Sequence, residues 1–147
     1  MDPEIANPPP PELFRFAADS WTEPFWQAAR EHRLTACQCA SCGRFRMPPT
    51  PFCPNCRSQA VAWPTLSGRG VIYSFTVVRR AVVPAMAGHI PYVPAVIELP
   101  DADGIRLISN IVGAPVADIR VGAEVQAIWE DREDGATLVR FALAAPR

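Results

Sequence analysis

Cys39-Ala40-Ser41-Cys42-Gly43 and Cys53-Pro54-Asn55-Cys56 are two Cys-x2-Cys pairs ten residues apart, and their reading decides the fold of this chain. Each pair can form a knuckle, a tight turn that aims two sulfurs at one point. The stretch between them is long enough to fold back and bring the pairs together. Cys39, Cys42, Cys53 and Cys56 would then hold one tetrahedral Zn²⁺ with every coordination position filled and none left for water or substrate. The metal is expected to be a folding device and not a catalyst. Gly43 follows the first pair, where a knuckle needs a residue tolerant of positive φ, and Pro54 fixes φ inside the second.

Two other uses of paired cysteines compete. No secretory signal is evident at the start of the sequence, so a reducing, cytoplasmic setting is expected, which disfavours stable disulfides. A redox Cys-x2-Cys belongs with a thioredoxin-like βαβ pattern, and none surrounds these residues. Cys37 is ambiguous. The set Cys37, Cys42, Cys53, Cys56 also supplies four sulfurs, but a four-residue gap suits a knuckle less well than Cys39-x2-Cys42. Cys37 reads as a small buried hydrophobe beside the site.

The chain has 147 residues, enough for one compact unit or two small ones, with an ordinary hydrophobic share of 49%. No apolar run approaches the roughly 20 residues a membrane helix requires, so no membrane partner is expected. All 14 basic residues are arginine. Net charge is −1, but residues 1–29 carry −4, residues 30–80 carry +7 and residues 81–147 carry −4. A zinc–tetrathiolate centre leaves the middle segment electropositive. It can meet phosphates or an acidic protein surface; scattered solvated arginines are the plainer alternative.

Residues 1–20 form a proline-rich arm, with Pro3 and the run Pro8–Pro11, expected to be extended and flexible. An N-terminal helix is expected within residues 21–33, capped by Thr22 and with Pro24 in its first turn. Leu13, Phe14, Phe16, Trp21, Phe25 and Trp26 make this entry segment unusually aromatic, which points to a partner-facing surface. Residues 34–65 form the ribbon, with short strands near 34–37, 44–47 and 60–63. Such a small unit depends on its metal for folding energy.

Residues 66–147 read as β. Alternation predicts strands over 71–81, 93–99, 105–112, 124–130 and 137–143, with turns at 101–104 and at Asp134-Gly135. Five strands with a long connection after the third, residues 113–122, fit a small OB-type barrel. An open sandwich of similar size is the competing fold. The expected class is therefore mainly β: N-terminal helix, rubredoxin-like zinc ribbon, then a five-stranded OB barrel. The segment from Arg79 to Tyr92 is too apolar for a plain solvent loop and too rich in Pro and Gly for a strand. It either caps one end of the barrel or forms an apolar lid over a ligand or partner.

The order of features resembles the bacterial and archaeal zinc-ribbon/OB-fold proteins associated with acyl-CoA metabolism, a domain-of-unknown-function family. The resemblance covers about residues 20–143. It rests on Phe25-Trp26, on Leu34-x4-Cys39-x2-Cys42-Gly43, on Pro48-Pro49 and on Cys53-Pro54-x-Cys56. Further on it rests on Trp63, on Ser67-Gly68-x-Gly70-x-x-Tyr73-Ser74-x-Thr76-Val77, and on Pro91-Tyr92, Ile97-Glu98-Leu99 and Val121-Gly122. This resemblance implies a non-catalytic accessory subunit beside a thiolase-like enzyme or a hot-dog-fold hydratase, in a hetero-oligomer whose partner supplies the catalytic residues. It also implies a coenzyme A thioester as a ligand shared with that partner. The proline-rich arm and Cys37 depart from some members.

The residues agree with that role. Outside the ribbon region there is no cysteine, and the two histidines, His32 and His89, lie far apart in sequence, so no nucleophile–base pair is evident. Arginines of 30–80 can neutralise coenzyme A phosphates, and an apolar groove between barrel and loop would suit its acyl arm. Candidate ligand or partner residues are Trp26, Tyr73, Arg79, Arg80, Met86, His89 and Tyr92. Single-stranded nucleic acid, stacked on Tyr73 and Phe75, is the alternative of a different class. The acidic balance of residues 71–147 disfavours it. A stand-alone enzyme acting through Cys37 or His89 is the third reading.

Overall fold

Alternating inward side chains close the C-terminal part of the chain into a barrel. The computed structural model describes residues 1–145. Helix α1 spans Glu23–Arg30, and three short strands follow: β1 (Cys37–Cys39), β2 (Phe45–Arg46) and β3 (Val61–Ala62). They form an antiparallel sheet in the order β2-β1-β3. Five longer strands come next: β4 (Arg69–Phe75), β5 (Val93–Leu99), β6 (Ile105–Ile111), β7 (Glu124–Asp131) and β8 (Thr137–Leu143). They make a closed barrel, β4-β5-β6-β8-β7, with β7 returning to β4. Closure removes the free edges that an open sandwich would leave. The OB barrel is therefore the fold, and the sandwich is not.

Every second residue of β5, from Val93 to Leu99, is buried, and Ile72, Ile111, Val125, Val139 and Phe141 meet it from other strands. Gly70 is required where β4 crosses β5 and β7. A Cβ there would overlap Ile97 Cγ2 and sit 3.2 Å from Val125 Cγ2. The weakest seam is between β6 and β8, which run parallel and share one paired position, Ile111 with Phe141. Ser109 Oγ donates to the Val139 carbonyl across it at 2.6 Å. Helix α1 packs on the β8 side of this seam, with Phe25 in the common core.

Three expectations need correction. Thr22 makes no side-chain cap; its φ of −97° and ψ of −16° are already helical. Asp19 does that work, its Oδ1 accepting the Trp21 and Thr22 amides at 3.0 and 2.8 Å. These bonds, the Thr22 amide first, hold the Asp19 carboxyl below the usual range. Next, the first barrel strand stops at Phe75 and does not reach Ala81. A bulge between Ile72 and Ser74 bends it, and beyond Phe75 the pairing thins to one bond from the Thr76 amide to Pro94 O and an isolated bridge, Val78 to Tyr92. Finally, the start of the arm is docked. Ile5 bridges Pro115, the Ala6 amide donates to Ala114 O at 2.9 Å, and the Gly113 amide returns a bond to Ala6 O. Ala6 is buried, and Arg79 clasps the Glu4 carboxylate at 3.0 Å. An arm predicted to be flexible thus covers the 113–116 connection.

A second inter-element clasp joins ribbon entry to barrel. His32 Nε2 lies 2.9 Å from Asp131 Oδ1, and its ring stacks on Trp129 with an interplanar angle of 2°. The His32 contact, with a bond from Thr137 Oγ1, lowers the Asp131 carboxyl.

Candidate functional site

Both knuckles have the same local build. The Gly43 amide donates to Cys39 O, and the Arg57 amide to Cys53 O, each at 2.9 Å. Each donor residue has left-handed φ, +79° at Gly43 and +65° at Arg57. Glycine adopts this freely; Arg57 holds it at a cost of about 1 kcal/mol. That position had no glycine to mark it.

The four sulfurs all lie within 4.8 Å of one another, with Cys39–Cys56 at 3.5 Å and Cys42–Cys53 at 3.6 Å. Zinc–sulfur bonds of about 2.3 Å set tetrahedral sulfur–sulfur edges of about 3.8 Å. The quartet fits one Zn²⁺ as it stands, with four protein ligands and a structural role. Cys37 is buried, pairs with Arg46 across β1–β2, and stands outside this cluster. Burial pushes its thiol up, as expected of an inert core cysteine.

Amides aimed at the Cys39 and Cys53 sulfurs favour thiolate there, while the Cys56 thiol, facing the other sulfurs, is pushed up to about 11. The Cys42 amide, the largest influence, brings the Cys39 thiol down to about 6, and the Cys56 amide lowers Cys53 likewise. Metal competes with protons for these sulfurs, so zinc affinity is expected to fall as pH falls. Competition against a chromophoric chelator should show the steepest loss below pH 6, where Cys39 would also be protonated in the metal-free ribbon.

The second feature is an open groove of about 950 Å³ where the seam of β6 and β8 meets the entry segment. Its floor is the outer face of the barrel: Pro94, Ile108 and Leu138, with Arg106 and Arg140. Leu13, Phe14, Phe16 and Trp26 wall one side; Val82, Val83 and Met86 wall another, and Pro48-Pro49 of the ribbon closes an end. Trp26 is fixed by edge-on contacts with Phe16 and Phe25, ring centres 4.6 and 5.0 Å away. Arg132 donates Nη2 to the Phe14 carbonyl at 2.8 Å and so pins that wall.

The candidate residues separate into three groups. Trp26, Met86 and Tyr92 line the groove. Arg79 is occupied by Glu4, and His89 Nδ1 lies 3.1 Å from the Pro8 carbonyl, so both hold the arm. Tyr73 lies exposed on the outer face with the Arg106 guanidinium 3.6 Å above its ring, and Arg80 is exposed. Ile108, Leu138, Arg106 and Arg140 also line the groove and are not among the candidates that the sequence offers. One signal was there: Ile108 is an isoleucine at the outward phase of β6, between Arg106 and Asn110, where alternation calls for a polar side chain. Within the segment from Arg79 to Tyr92, Met86 is buried, while Val82 and Val83 stand exposed at the edge of the groove.

Residues 26–62 match the model of the ChsH2 rubredoxin-like zinc ribbon domain, and residues 63–130 that of the ChsH2 C-terminal OB-fold domain. A solved chain of an Ltp2-ChsH2(DUF35) aldolase superposes with a TM-score of 0.79 at 34% identity, covering 89% of this chain and 100% of that one. The chain belongs to the ChsH2 (DUF35) family. This ChsH2-family chain is 37% identical over 126 residues to a probable enoyl-CoA hydratase alpha subunit of Thermomonospora curvata. It is 30% identical over 125 residues to the 3-oxo-4,17-pregnadiene-20-carboxyl-CoA hydratase alpha subunit of Mycobacterium tuberculosis. The alignments take in 84% and 85% of this chain but only 38% and 39% of those proteins. The ChsH2-type ribbon and barrel are therefore shared with them, and most of their length is not. No helix among the described residues is long and apolar enough to cross a membrane.

Proposed function

We propose that this chain is a non-catalytic accessory subunit that docks on a thiolase-like enzyme or a hydratase and helps to position its acyl-CoA. The observation that carries this reading is where the reactive groups have gone. Four cysteines face one another as metal ligands, and Cys37 is buried beside an arginine. His32 is held by Asp131, and His89 rests on a backbone carbonyl. These side chains serve the fold, while the apolar groove lies open. Relatives named as alpha subunits, and one found with Ltp2, support the same reading. Exposed arginines on and beyond the ribbon, Arg44, Arg57, Arg69 and Arg80, can meet the phosphates of coenzyme A at the edge of such an interface.

Co-expression with a thiolase-like or hydratase gene encoded beside this one should give a complex that survives size-exclusion chromatography. The complex should turn over an acyl-CoA that this chain alone does not. A chain that stays alone beside every such neighbour, or that is active without one, would overturn the reading.

A further inference from the structure

Resting on that reading, we propose that the groove between the entry segment and the β6–β8 seam receives an amphipathic, acidic segment of the partner subunit. Exposure decides first between a small ligand and a protein. Val82 is 82% exposed, Ile108 78% and Phe14 51%, all on the lips or floor of one continuous groove. A ligand pocket encloses most of its ligand, and side chains this open would stay wet around an acyl chain. A chain of protein laid along the groove would cover them together. Contiguous apolar surface of this kind marks association.

Composition points the same way. The lining is rich in the residue types that concentrate at interface cores: Phe16, Phe25, Trp26, Met47, Met86 and arginine. Fifteen acidic residues are present in the chain, yet the groove lining contains none, while Arg15, Arg106, Arg132 and Arg140 all belong to it. The carboxylates that balance three of these, Glu98, Asp134 and Glu130, are outside the lining. Arg15 is exposed and has no ionic partner among the described residues. The occupant that complements this groove is apolar on the face that enters and carries carboxylates along its edge. A basic or uniformly apolar segment would leave Arg15 unpaired.

Ile108→Asp and Arg15→Glu test the groove without touching the zinc ligands or the barrel interior. The probe is the partner subunit obtained by co-expression, purified and titrated against each variant by calorimetry. Ile108→Asp should weaken the complex about a hundredfold, and Arg15→Glu about tenfold at low salt with the difference shrinking as salt rises. Val121→Asp, also well exposed but away from the groove, should stay within about twofold. Unchanged zinc content and circular dichroism would show that each variant is folded. A complex that forms normally with Ile108→Asp overturns the groove proposal and leaves the subunit reading standing. So does protection of residues 106–110 from hydrogen exchange by decanoyl-CoA alone but not by the partner, which would make the groove an acyl seat. Failure to form any complex with the unaltered chain overturns both.

Discussion

Cys39→Ser is expected to reduce bound zinc from one ion per chain to almost none and to unfold the ribbon. Structural zinc sites carry apparent binding free energies of about 10–16 kcal/mol, and in small units that energy is the folding energy. The ribbon has little else. Its strands are three, two and two residues long, and they make one three-stranded sheet. Losing one sulfur also removes the acceptor for the Cys42 amide in the first knuckle. Metal analysis should register the loss, and hydrogen exchange should show residues 37–62 unprotected while β5 and β8 stay protected. The barrel has its own buried set, Ile72, Ile97, Val125 and Phe141, and is expected to persist. Cys37→Ser is the control: it should keep its zinc and lose about 1–3 kcal/mol for burying a hydroxyl. Zinc loss in that variant, with zinc kept in Cys39→Ser, would reassign the ligand set to Cys37.

How much of this was legible depends on how local each signal is. Ligand spacing is written within eighteen residues, so the quartet could be read from Cys39, Cys42, Cys53 and Cys56 alone. Strand alternation is equally local, and β5, with its strict buried-and-open rhythm, coincides with the 93–99 expected. The 71–81 strand was overextended because alternation persists past Phe75, whereas pairing needs a partner. The chain facing residues 76–81 is instead the proline-rich approach to β5, which offers one bridge at Tyr92. The arm is the opposite case. Nothing in residues 1–10 announces that Ala6 will trade backbone bonds with Gly113 and Ala114, because the partner lies over a hundred residues away. The groove was half visible. Its aromatic wall showed in composition, but its floor is made of outward residues from β5, β6 and β8, and the adjacency of β6 and β8 is a property of barrel closure.

Phe141→Ala is expected to cost about 3–5 kcal/mol, the usual range for truncating a fully buried phenylalanine. For a chain of this size that lowers the melting temperature by roughly 10–20 °C. The position is demanding because Phe141 lies opposite Ala127 on β7 and opposite Ile111 at the single paired point of the parallel seam. Its carbonyl also accepts the Val112 amide at 2.9 Å. The backbone bond survives the substitution, so the loss is the ring's packing and the cavity left behind. Ile108→Ala makes the informative contrast. It removes a side chain of comparable hydrophobicity from the same seam, but from the outward phase of β6, where 78% exposure leaves little to lose. Its stability should change by no more than about 0.5 kcal/mol. Thermal melts at fixed zinc separate the two. Equal losses would mean that the inward and outward phases of the seam are misassigned, and with them the floor of the groove.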